Sequence, residues 1–236
     1  MTSIVTLALA GVAIAMVSNR IEAYATKVNK ADGMTLQFTS QLLGGTKSAY
    51  SFEAAKPNML RLDTPASLFV TDGKTMTTYV KGINAYYNEP FDPASITAAV
   101  QDFNLVLVRP FFNDKALKGL SVRSGAMVTR KGFELTPNRA VLEKDSGLAG
   151  VFYTDENNLV RQAELNFEKE TTILDVSTIN LNRPSDSRFT FLPPKGAKEV
   201  NKSELGSTKW YTNIAEALAD AKSSNRMVML EFWFDG

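Results

Sequence analysis

The chain opens on an apolar run, residues 4–16, broken only by Thr6 and Gly11. It is too short to cross a bilayer comfortably and has the length of a signal-peptide core, although the preceding Met-Thr-Ser lacks a basic residue. Residues 1–15 are accordingly expected to be a signal peptide cut after Ala15. A cut after Ala25 would destroy the element that follows. That element is a helix: Ile21, Tyr24, Ala25 and Val28 recur at helical spacing, with Arg20, Glu22, Lys27 and Lys30 off the stripe. From Met34 the period changes to two. Met34, Leu36 and Phe38 alternate with Thr35, Gln37 and Thr39, and Gly44-Gly45 turns the chain. Tyr50 and Phe52 alternate next. Lys56-Pro57-Asn58 interrupts, residues 59–62 resume, and Asp72-Gly73 is a tight turn between residues 68–70 and 75–80. The spacing leaves no room for helices between these strands, so the sheet is predicted to be antiparallel.

The middle of the chain reads differently. Asp92-Pro93 opens a predicted helix with Ser95 as its cap and Ile96, Ala99, Val100 and Phe103 on one face. A strongly apolar stretch follows, with Leu105, Leu107, Phe111 and Phe112 around Pro110. Strands return over residues 121–129, 132–136, 151–154, 160–167 and 171–181, with residues 155–158 as a hairpin turn. About ten short strands and two helical interruptions predict a mainly β, α+β domain. Its form is a curved antiparallel half-barrel with helices against the concave side. If the helices fill the concavity it is simply a core. If they pack loosely, an apolar pocket remains for a hydrophobic ligand.

Composition narrows the chemistry. Apolar residues are 44% of 236 and charged residues 22%, so the chain is globular. With 26 basic and 25 acidic residues, nothing points to nucleic acid as a partner. There is no His and no Cys. The commonest general base, the best zinc ligands, thiol nucleophiles and disulfides are all missing. No metal site, cofactor or enzyme activity is expected. Asp72-Gly73-Lys74-Thr75 lacks the glycine spacing of a phosphate loop and reads as a turn.

Four segments, in order, carry a family likeness. They are Ala55-Lys56-Pro57-Asn58-Met59-Leu60-Arg61-Leu62, Leu68-Phe69-Val70-Thr71-Asp72-Gly73-Lys74-Thr75, Phe133-Glu134-Leu135-Thr136-Pro137, and Phe189-Thr190-Phe191-Leu192-Pro193-Pro194-Lys195-Gly196-Ala197. Together they resemble the outer-membrane lipoprotein carrier (LolA-like) family over residues 16–200. The resemblance implies an eleven-stranded, incompletely closed barrel under a helical lid. It also implies a periplasmic protein that binds lipoprotein acyl chains and passes them toward the outer membrane, between membrane-bound donor and acceptor proteins. Related domains sense or bind lipidated or misfolded proteins. In the family an Arg before the Pro-Asn dipeptide holds the lid by its backbone. The matching residue here is Lys56, which keeps the charge and loses the planar fork of donors. Lys56 can equally be read as a solvated strand-edge residue. The ligand-binding candidates are Ile21, Tyr24 and Val28 of the first helix and Ile96, Val100, Phe103, Leu105, Leu107, Phe111 and Phe112 of the middle segment, with Lys56 as lid lock. Taken singly, each is best read as core. As a set, they form an apolar wall for which an acyl chain competes.

Residues 201–208 read as a polar linker. Ile214, Ala217, Leu218 and Ala221 then form a helical stripe, and residues 227–234 an apolar strand. This tail, residues 209–236, resembles the start of a thioredoxin-like domain, without the Cys-x-x-Cys that follows in that family. The expected function is therefore an acyl-chain carrier or chaperone. The alternatives are a non-catalytic periplasmic sensor or scaffold, or part of a redox protein whose cysteines lie outside this chain.

Overall fold

The computed structural model describes residues 20–143, 148–206 and 213–224. The expected signal peptide and the apolar strand at 227–234 lie outside the described residues.

Helix α1, Arg20–Lys30, buries Ile21, Tyr24, Ala25 and Val28, the four residues of the sequence stripe. The meander follows as β1 (Gly33–Leu42), β2 (Lys47–Ala55), β3 (Met59–Asp63), β4 (Ser67–Thr71), β5 (Thr75–Val80) and β6 (Ala85–Pro90). Each neighbouring pair is antiparallel. Its turns use the expected chemistry. Gly44 takes φ +83°, and Gly73 takes φ +87° between β4 and β5. There the Asp72 carboxylate accepts from the amides of Lys74 (2.8 Å) and Thr75 (2.9 Å). Those amide bonds, Thr75 first, hold the Asp72 carboxyl below the usual range.

The lid comes next: helix α2 (Pro93–Ala99), a 3-10 turn at Phe103–Leu105 and the short helix α3 (Arg109–Phe112). The cap of α2 is Asp92, not Ser95: the Asp92 carboxylate accepts from the Ala94 amide at 3.0 Å. Pro93 at the first helical position leaves Asp92 as the residue with extended backbone.

The second half holds β7 (Val122–Ser124), β8 (Val128–Arg130), β9 (Phe133–Glu143), β10 (Leu148–Thr154), β11 (Val160–Phe167) and β12 (Glu170–Asn180). Two expectations fail here. Residues 121–129 are not one strand: Gly125 still donates its amide to the Pro137 carbonyl at 2.8 Å, but Pro137 has no N–H to return the bond, and the ladder stops there. The strand expected at residues 132–136 runs on to Glu143, through Pro137. The proline discourages a strand reading, but here it sits opposite Tyr153 of β10.

The thirteen strands among the described residues, counting the two-residue β13 (Lys198–Glu199), belong to one sheet in the order β13-β6-β5-β4-β3-β2-β1-β12-β11-β10-β9-β7, with β8 paired to β9. The resemblance implies eleven; the described residues hold thirteen, the shortest of them the two-residue β13. The order ends in two edges, so the sheet is an unclosed, curved antiparallel half-barrel. Among the described residues only the β13–β6 pairing is parallel. Cross-strand register puts Met34, Leu36 and Phe38 on the same face as Phe52, Ala54, Leu60 and Leu62, and as Leu174, Ala163, Leu165 and Phe152. All of these join the buried core with the lid and α1.

The opposite, convex face of β2–β6 is covered by the segment after β12. Phe189 is buried there, and Phe191 packs on Tyr79 and Tyr86. Beneath it lies the buried carboxylate of Glu53, which Arg188 grips through two nitrogens; Nε donates at 2.8 Å. Arg183 donates to the Lys56 carbonyl at 2.7 Å. The expected linker at 201–208 contains helix α4 (Lys202–Gly206), and Lys202 pairs with Glu89 at 2.7 Å. Helix α5 (Ile214–Ser224) follows, with Ile214 and Leu218 exposed.

Removing one partner of a buried carboxylate strands its charge. Arg188→Ala should lower stability by about 2 kcal/mol, discounted because the arginine end is half exposed. A urea midpoint equal to wild type would show that the outer strap contributes nothing.

Candidate functional site: the lid and the concave wall

The concave wall is made by alternation alone. Each strand turns every second side chain inward, and register aligns them into rows. One row runs Val176, Phe38, Tyr50, with Phe38 and Tyr50 stacked at 5.0 Å. Its neighbour runs Ile179, Leu36, Phe52, Leu62, Phe69.

The lid lies on this wall with a few polar attachments. The Tyr24 hydroxyl donates to the Leu107 carbonyl at 2.8 Å, fully buried. Burial pushes its phenol well above the usual tyrosine range, so it remains a donor across physiological pH. The Asn29 amide donates to the Pro110 carbonyl at 3.0 Å. The Ser40 hydroxyl meets the Asn104 side-chain oxygen at 2.6 Å. Within the lid, the Arg109 guanidinium binds three carbonyls, of Val100 (3.3 Å), Gln101 (2.7 Å) and Asp102 (3.3 Å). It satisfies the C-terminal end of α2 and ties it to α3.

Lys56 sits at the junction of these parts. Its ammonium donates to the Asn29 carbonyl near the end of α1 and stands 5.4 Å from the Phe111 ring centroid. Phe111 and Phe112 pack edge-on against Phe52 and against each other. The lysine is therefore turned inward. Its polar bond goes to the α1 backbone, and it meets the lid through an aromatic face.

Every sequence candidate converges here. Ile21, Tyr24, Val28, Ile96, Val100, Leu105, Leu107 and Phe111 are buried in one cluster with the wall, and Phe103 and Phe112 pack partly buried against it. Their burial decides the state of the site. Ile21, Tyr24, Val28, Leu36, Phe52, Leu60, Leu62 and Leu107 expose no surface at all, so no water-sized void touches them. Of the two arrangements the sequence leaves open, a filled concavity or a loose cover over a pocket, these residues take the first: the lid's own side chains occupy the concavity. A shallow groove of about 730 Å³ lies along the outer side of α1, lined by Glu22, Thr26, Lys27 and Leu181 among others.

One end of the half-barrel stays greasy at the rim. Leu42 and Phe167, at the ends of β1 and β11, face the concave side and are about two-fifths exposed (42% each). Leu43 stands beside them, its amide bonded to the Thr171 carbonyl at 2.8 Å. The partners Asn29, Ser40, Asn104 and Arg109 were not candidates in the sequence, because single polar residues in apolar surroundings have no periodic signature.

Fold and site together define a lidded half-barrel closed over a dry interior. No family model matches the chain, and no curated protein matches it. Solved structures give distant likenesses. MucB matches at 14% identity over 75% of this chain and 63% of its own, with a TM-score of 0.45. Lipoprotein LppX of Mycobacterium tuberculosis matches at 10% over 70% and 94%, also with a TM-score of 0.45. A LolA superfamily protein from Nitrosomonas europaea matches at 9% over 74% and 98%, with a TM-score of 0.30.

The Tyr24 attachment is testable on its own. Tyr24→Phe strands a buried carbonyl and should cost about 1–2 kcal/mol of stability. Hydrogen exchange of lid amides should rise; unchanged exchange would mean the bond does not hold the lid.

Proposed function

We propose that the protein binds acyl chains of lipoproteins, or a similar apolar ligand, on the concave wall by displacing the lid. As an exported, periplasmic carrier or chaperone it would hand them toward the outer membrane. In this reading residues 16–200 are the working domain, and Ile21, Tyr24, Val28, Ile96, Val100, Phe103, Leu105, Leu107, Phe111 and Phe112 trade contacts with the ligand. Lys56 restrains the cover.

The observation that carries the reading is the character of the lid-wall interface. It is mainly apolar and is fastened to the rest of the molecule by a few side-chain bonds. The energies are matched. Seven buried lid residues (Ile96, Val100, Leu105, Val106, Leu107, Val108 and Phe111) at about 2 kcal/mol each are worth about 14 kcal/mol. A chain of about sixteen carbons, at about 0.8 kcal/mol per methylene, is worth about 12 kcal/mol. One hydrocarbon tail thus substitutes for one lid with little net change, which lets a carrier both load and release. The apolar rim at Leu42, Leu43 and Phe167 gives a tail a place to enter. No proton transfer or covalent step is needed.

The absence of native cysteine makes a clean test. Ser40→Cys with Asn104→Cys places a unique thiol pair where the two side chains now touch at 2.6 Å. Oxidised protein should take up a fluorescent fatty acid poorly, and reductant should restore uptake. Equal uptake in both states would end the displacement mechanism. Lys56→Leu should speed ligand exchange without unfolding the protein; equal exchange rates would remove Lys56 from the mechanism. Native mass spectrometry of protein from cells should show copurified lipid or lipopeptide. Its absence favours a sensor or scaffold that uses the half-barrel to bind protein.

A further inference from the structure

The β7–β9 end of the sheet carries a second surface, on the convex side and apart from the lid. Arg123 and Arg139 stand directly opposite each other in the β7–β9 register, both exposed. Among the described residues neither has an ion pair or a side-chain hydrogen bond. Like charges at facing positions of an antiparallel pair destabilise it. Among the described residues the acid in this register row, Glu164 opposite Val151, is already engaged by Arg130 at 2.7 Å and by the Tyr153 hydroxyl at 3.0 Å, so the two facing arginines remain available to an anion from outside.

The same surface is apolar between its charges. Alternation along β9 puts Phe133, Arg139 and Val141 on one face, and register brings Val128 to that face opposite Leu135. Phe133 is 47% exposed, Val141 45% and Met127, at the bend before β8, 63%. Large apolar side chains interleaved with uncompensated guanidiniums match a bilayer interface, where the rings and aliphatic groups enter the acyl boundary and the cations meet lipid phosphates. An acidic protein surface would satisfy the arginines and leave these side chains in water. The register row of Val141 leads to the rim past the hydrogen-bonded pair Asn166 and Thr171. Val141 aligns through Ala149, Asn166 and Thr171 with Leu43.

We propose that the β7–β9 face, through Arg123, Arg139, Met127, Phe133 and Val141, docks the protein on anionic phospholipid membranes with its rim beside the surface. This goes beyond the ligand reading and does not rest on it, because docking needs neither cargo nor lid movement.

The test is flotation of the full chain with vesicles of phosphatidylglycerol in phosphatidylcholine, against phosphatidylcholine alone. Binding should require the anionic lipid and weaken as salt is raised. Arg123→Ala and Arg139→Ala should each reduce the partition coefficient about fivefold. Both remove repulsion, so both should fold, with a melting temperature at or above wild type. Phe133→Ser should reduce binding to the same vesicles without changing its salt dependence. Equal binding to neutral and anionic vesicles would overturn the proposal, as would no binding to either, or arginine variants that bind like wild type. Retention on a polyglutamate column by a protein that ignores vesicles would assign the face to an acidic protein and likewise overturn it.

Discussion

A sheet that curls without closing leaves one face it must keep dry, and that requirement organises the rest of this molecule. The concave wall presents Leu36, Phe38, Phe52, Leu60, Leu62 and Leu165, none of which tolerates water cheaply. The chain supplies its own cover by breaking the strand meander after β6 and inserting an apolar helical segment. Helix α1 completes it from the other end of the sequence. What would be an ordinary core in a sandwich is here shared between a rigid sheet and a cover of short helical pieces. Arg109 ties the cover's pieces to one another, its guanidinium binding three carbonyls.

The polar bonds at the site have a common logic. Tyr24, Asn29 and Lys56 all reach backbone carbonyls rather than side-chain acids. A carbonyl at the end of a short helix needs a donor but carries no full charge. Such bonds hold the cover in register without creating buried ions that would resist opening. The buried charge, Glu53, is placed on the outer face, where Arg188 holds it and the structure does not have to move.

Period-two alternation made the meander legible in the sequence, and glycine turns marked most of its corners, because both are local signals. The α1 stripe was legible for the same reason. Three things were not. Strand β9 continues through Pro137, where the position in the ladder, not the residue, decides the outcome. The cap of α2 falls on Asp92, which only the backbone angle at that residue reveals. Above all, alternation tells which side chains face inward and nothing about whether they meet others or leave a gap. The candidates lie in or against one buried cluster, and their own side chains fill the space between them. Packing density is a property of the whole assembly of elements, and no stretch of the chain encodes it separately.

Lys56 takes part on both sides of the sheet. Its side chain is fastened to α1 on the inside, and its carbonyl is held by Arg183 of the strap on the outside. That strap continues into β13 and, through Lys202, is moored to the far edge at Glu89. Inner cover and outer strap are therefore mechanically in series through a single residue. A pull on the chain beyond Val200, whether from a tethered neighbour or a docking partner, has a continuous path of bonds to the cover it never touches.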